Sequence, residues 1–162
     1  MKLNERARTT MLAETEGLSD EHINKRPAED RWSIKQILEH LYLMEGAIAK
    51  IIQKQLEEGE RKDISDKPIE LTVNREKKVD ASDFVIPGDD FATRKELIQK
   101  LESSHKLLAD TAINADETLL EERMYPHPQF GELSLKQWIP FVAYHEMRHT
   151  EQLKEVKHDL NL

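Results

Sequence analysis

The chain has 162 residues, no cysteine, and 32 acidic against 24 basic side chains, a net charge of −8. A disulfide framework, a cysteine-ligated zinc site and a cysteine nucleophile are thereby excluded. The acidic balance, with no basic stripe to offset it, argues against nucleic acid or an anionic membrane as partner.

With 38% hydrophobic and 35% charged residues but only 5 Gly and 6 Pro, the composition favours one helical domain over residues 1–162 and not a turn-rich β-sandwich. Residues 1–6 lack the apolar core of a signal peptide. No apolar run approaches the ~20 residues of a membrane span, so the cytoplasm is the expected location.

Leu3, Ala7, Thr10, Met11 and Glu14 share a face, which predicts a helix over 2–17 that ends at Gly17. Residues 18–31 read as a helical turn and a connector. Ser33 and Gln36 have the spacing of a capping box. The helix it opens runs to about Glu57, with Ile37, Leu41, Met44, Ile48, Ile51 and Ile52 on one stripe. His40 lies on that stripe, three residues after Ile37 and four before Met44.

Residues 58–92 are irregular, broken by Pro68, Pro87 and Gly88, with short extended stretches expected at 70–73 and 83–86. A connection this long is either a crossover between bundle helices or a functional flap. Thr93 and Glu96 form a second capping box, and Leu97, Leu101, Ser104 and Leu108 continue it to about Ala112, with His105 beside the stripe. Residues 113–133 hold Pro126, Pro128 and Gly131 and read as a second connector. Ser134 and Gln137 form a third box. Leu135, Trp138, Ile139, Val142, His145, His149, Leu153 and Val156 line the last helix, where Pro140 is expected to cause a local kink. The sum is an all-α four-helix bundle. Its long crossover lies between helices 2 and 3 and lets those two run parallel.

His145 and His149, four apart on a helix, face the same way and can bind one metal ion. Burying imidazoles without partners costs free energy, and one ion satisfies several at once. His40, on a second buried stripe, is the expected third ligand. Three neutral histidines leave an open coordination position, as catalytic sites do. A divalent transition metal suits them, zinc or nickel foremost. The alternative is three core histidines bonded to backbone carbonyls.

Residues 145–149 also match the H-E-x-x-H zinc-protease pattern, with Glu146 as general base. The metzincin continuation is missing, since Gln152 and Glu155 stand where it needs Gly and His, and only 13 residues follow His149. The match at Glu146 therefore reads as accidental. Lesser candidates are His105 as a fourth ligand or proton carrier, His127 as a turn-fixing residue, and Arg31 and Arg148 as anion contacts. Tyr42 and Tyr144 read as packing residues, and His22 and His158 as surface residues.

The stretch Trp32-Ser33-Ile34-Lys35-Gln36-Ile37-Leu38-Glu39-His40-Leu41 resembles the first signature of the DinB-like, or YfiT-like, superfamily of bacterial metalloproteins. His127-Pro128-Gln129-Phe130-Gly131-Glu132-Leu133-Ser134-Leu135, followed by Trp138 and the His145/His149 pair, resembles the second. The resemblance implies a four-helix bundle, often a homodimer, and a three-histidine metal site at His40, His145 and His149. It implies a small-molecule substrate and, from some relatives, a low-molecular-weight thiol such as bacillithiol as co-substrate, transferred to an electrophile. Other relatives imply a metal-dependent hydrolase that activates water at the metal, or a non-catalytic metal-binding stress-response dimer.

Overall fold

The computed structural model describes residues 1–75 and 85–162. Its elements are α1 (Lys2–Ala13), α2 (Asp20–Asn24), α3 (Ile34–Glu58), α4 (Arg94–Asn114), α5 (Glu117–Glu122), β1 (Met124–His127), β2 (Gly131–Ser134) and α6 (Leu135–Leu160). The long helices α3, α4 and α6 form a four-helix bundle with α1. No helix among the described residues is long and apolar enough to cross a membrane.

Side-chain pairs fix the helix directions. Tyr42, Glu45 and Gln53 of α3 meet Lys100, Ser104 and Thr111 of α4 in the same order, so these two helices run parallel. Asn4, Arg8 and Glu14 likewise meet Ile139, Glu146 and Lys157, so α1 runs parallel to α6. Short loops cannot join parallel neighbours; residues 59–93 make the crossover.

Where the chain starts α3, α4 and α6 follows from their hydroxyl caps. Ser33 accepts from the Gln36 amide while the Gln36 side chain accepts from the Ser33 amide, a complete capping box. Thr93 and Glu96 make a second. The third is only half formed. Ser134 accepts from the Gln137 amide at 3.2 Å, but the Gln137 side chain donates to the Lys67 carbonyl at 2.9 Å. The crossover binds the Gln137 amide nitrogen, and Oε1, the acceptor that would have closed the box, has no partner among the described residues.

Three other expectations need correction. α1 stops at Ala13 and not at residue 17; the chain then turns, and Gly17 takes φ +74°, which a glycine tolerates. Residues 70–73 belong to a 3₁₀ helix, Ile69–Val73, and are not extended. Of 83–86, residues 83 and 84 lie outside the described ones; Val85 is buried and Ile86 exposed. Residues 113–133 are more than a connector: they hold α5 and an antiparallel hairpin in which Met124 faces Ser134 and His127 faces Gly131. Gly131, at φ +72°, makes the tight return possible. α6 continues through Pro140 as one helix.

The core has two apolar clusters. One gathers Ile48, Ile52, Leu108, Trp138, Phe141 and Val142; the other gathers Ile37, Leu38, Leu41, Leu97, Leu101 and Leu153. Between them sits a buried polar layer. Arg8 donates to Glu146 at 2.6 Å and to Glu45 at 2.8 Å, and also to the Leu101 carbonyl. Glu45 further accepts from Ser104 and His105.

Candidate metal centre

α3 and α6 bring His40, His145 and His149 together at the level of this polar layer. Each offers a ring nitrogen within 4.8 Å of the other two. His40 Nε2 and His145 Nε2 are 3.3 Å apart. Two nitrogens bound tetrahedrally at 2.0–2.1 Å from one ion lie about 3.3–3.4 Å apart, so the His40–His145 pair has the spacing of two ligands of one ion. His40 and His149 are buried and His145 half-buried.

The second ring nitrogens are already used. His40 Nδ1 lies 2.8 Å from the Val85 carbonyl. A carbonyl only accepts, so Nδ1 carries the proton and the Nε2 lone pair is free. His149 Nδ1 donates in the same way to Gln152 Oε1 at 2.8 Å. Carbonyl groups that hold a ligand imidazole by its other N–H are the usual outer shell of a metal site. Trp32 walls the cluster, its ring 5.0 Å from that of His40 and stacked at 6.3 Å on that of His149.

Electrostatics keep the three imidazoles neutral. Burial pushes the His149 pKa down to about 3, helped by the neighbouring His40. Burial also lowers His40, and it lowers His145 well below the ordinary value together with the repulsion of His149 and His40. Arg75, itself paired with Glu155, and Arg148 add smaller lowering effects on His149. Metal ligands must be deprotonated imidazoles, and these are.

Glu146 is not part of the cluster. It is buried and turned to Arg8 on the other side of α6, so it has no general-base position as H-E-x-x-H would require. His105 is not there either; its Nδ1 lies 3.0 Å from Glu45 Oε1. His127 lies on the hairpin, its Nδ1 accepting from the Gln129 and Phe130 amides. Arg31 pairs with Asp159 on the surface. Arg148 donates to the Thr72 carbonyl at 3.2 Å and to that of Asn74. Tyr42 donates to Glu39, and Tyr144 packs on the core.

Sequence reading overlooked Trp32 as a wall, Val85 and Gln152 as orienting carbonyls, and the Arg8 network. Gln152 was the one in reach, because it lies three residues after His149 on the same helix. The crossover is also more than a link. Its later end supplies Val85 to His40, and the Gly88 carbonyl accepts from Lys35 and Gln36 of α3.

The sequence profile of the DinB superfamily matches residues 3–153. The protein YuaE of Bacillus subtilis (strain 168), itself uncharacterized, is 33% identical over 157 residues, covering 97% of this chain and 96% of YuaE. The chain belongs to the DinB superfamily. Two solved structures share the fold of this DinB protein. TT2238, a four-helix bundle protein, aligns with a TM-score of 0.65 at 20% identity, over 95% of this chain and 94% of its own. YfiT from Bacillus subtilis aligns at 0.64 and 14% identity, over 99% and 85%; it is described as a probable metal-dependent hydrolase with an unusual four-helix bundle topology.

Proposed function

We propose that this DinB protein is a metal-dependent enzyme acting on a small molecule, with His40, His145 and His149 holding one divalent transition metal ion. The observation that carries the reading is the convergence of three imidazole nitrogens within 4.8 Å, two of the rings having their remaining N–H tied to a carbonyl. When bound, such an ion lowers the pKa of a water or thiol and supplies a nucleophile near neutral pH.

The chain's own part is to hold the imidazoles. Val85 and Gln152 keep two rings in the tautomer that presents Nε2, while Trp32 shields one side of the cluster from solvent. Arg148 adds positive charge near His149, whereas the charge of Arg75 is paired with Glu155. Three neutral ligands leave the charge of the ion uncompensated, which also favours a thiolate or another anion over a neutral group.

The leading substrate pair is a low-molecular-weight thiol of the bacillithiol type and an electrophile. The absence of cysteine from the chain supports a thiol brought from outside, and the resemblance to thiol-dependent relatives supports the same. Hydrolysis is the second reading, favoured by the description of YfiT. The test is a pair of assays on the metal-loaded protein, bacillithiol with a fluorogenic haloalkyl electrophile and a chromogenic ester. The first reading expects thiol-dependent turnover that His145→Ala abolishes. A rate equal to that of the metal-free protein in both assays overturns the enzyme assignment. We also infer a homodimer, as the resemblance implies; light scattering giving a mass near 18.9 kDa contradicts it.

A further inference from the structure

We infer that His127 is a ligand-binding residue of this same site: its Nε2–H donates a hydrogen bond to an acceptor group of the small molecule bound against His40, His145 and His149. The inference rests on the metal reading above and adds a second point of recognition to it.

Three observations carry it. His127 Nδ1 lies 3.1 Å from the Gln129 amide and 3.3 Å from the Phe130 amide, and both donate to it. A ring nitrogen that accepts two N–H bonds carries no proton, so the neutral ring carries it on Nε2. Burial lowers the His127 pKa to about 4, which keeps the ring in that neutral form near pH 7. Next, the ring is clamped. Its centroid lies 5.0 Å from Phe130, 5.3 Å from Trp138 and 4.7 Å from Phe141. Phe141 in turn lies 6.0 Å from the ring of His145, one helical turn further along α6. His127 and His145 thus flank one phenyl ring. Finally, the Nε2–H has no acceptor among the described residues, although Nδ1 is doubly bonded.

Closing the turn does not require this residue. An acceptor for two amides is what Asn or Asp supplies in such loops. An imidazole adds a donor on the opposite edge of the ring, fixed in tautomer and orientation. A neutral, preorganised imidazole N–H is well suited to stabilise a carbonyl or carboxylate oxygen.

The test uses His127→Asn, which keeps the amide acceptor and removes the donor. Wild type and variant are loaded with Co²⁺ and titrated with acetate, followed by the cobalt absorption spectrum. Both are expected to take up Co²⁺ equally and to melt alike, and the variant to bind acetate about tenfold more weakly, the worth of one hydrogen bond to a charged group. Equal acetate affinity in the two proteins overturns the inference, as does wild type that holds Co²⁺ but binds no acetate. If wild type takes up no Co²⁺, the metal reading itself has failed and this inference falls with it. Should the variant not fold, NMR of the Zn²⁺-loaded wild type decides. The His127 Nε2–H resonance is expected to shift on adding acetate, and an unmoved resonance overturns the inference.

Discussion

His145→Ala removes one of three converging imidazoles and leaves the apolar clusters on either side intact. The variant is expected to keep its helical circular dichroism and lose its metal; a loaded, folded His145→Ala contradicts the ligand set. The histidines also set a pH dependence. In the folded chain His149 is held near pKa 3 and His127 near 4, while unfolded histidine titrates near 6.5. Between these values the unfolded state binds more protons, so stability rises with pH there. The metal-free protein is expected to lose stability steadily as the pH falls from about 6.5 toward 3, and His127→Asn to flatten part of that slope. Urea midpoints that change identically in both proteins contradict it.

At the scale of elements, the buried layer is the feature with the largest leverage. Arg8 reaches both Glu45 and Glu146, so α1, α3 and α6 share one cation. Burial works to raise the Glu45 pKa, but the bonds from His105, Arg8 and Ser104 outweigh it and hold it below the usual value. At Glu146 burial wins over Arg8, and the pKa is raised. Arg8→Met leaves Glu146 without its cation and Glu45 with Ser104 and His105 alone, and is expected to cost about 3–5 kcal/mol in urea unfolding. The triple variant Arg8→Met, Glu45→Leu, Glu146→Leu is expected to recover most of that, because no charge is left unpaired. A single variant as stable as wild type contradicts the account of the layer.

The same layer shows what the sequence conveys and what it does not. The long helices α3, α4 and α6 were legible because their apolar residues repeat at helical spacing and each opens on a hydroxyl cap. His40, His145 and His149 were legible because they interrupt those stripes. Arg8, Glu45 and Glu146 were not, since a charged residue on a helix ordinarily reads as solvated and only the bundle reveals the partners. The hairpin escaped notice because Pro126 and Pro128 signal a break in strand, yet Pro126 pairs opposite Glu132 in a two-stranded ribbon. Val85 reaches His40 across 45 residues, and no local pattern announces such a contact.

Over the whole molecule, the parallel α3–α4 arrangement makes the crossover obligatory, and both of its described ends touch residues at or beside the cluster. One end is pinned by Arg148 and the other hands Val85 to His40. The proposed metal binding at His40 would thereby be linked to the seating of the crossover on the bundle. A ligand present at about 100 times its Kd stabilises the folded state by about 2.7 kcal/mol. Zn²⁺ or Ni²⁺ is therefore expected to raise the melting temperature and a chelator to lower it. The most direct test of the central claim is the metal content of untagged protein after desalting, measured beside His40→Ala and His145→Ala. The account predicts about one divalent transition metal ion per wild-type chain and almost none in either variant. Wild type holding less than about 0.2 ions per chain after incubation with Zn²⁺ and Ni²⁺ would contradict it.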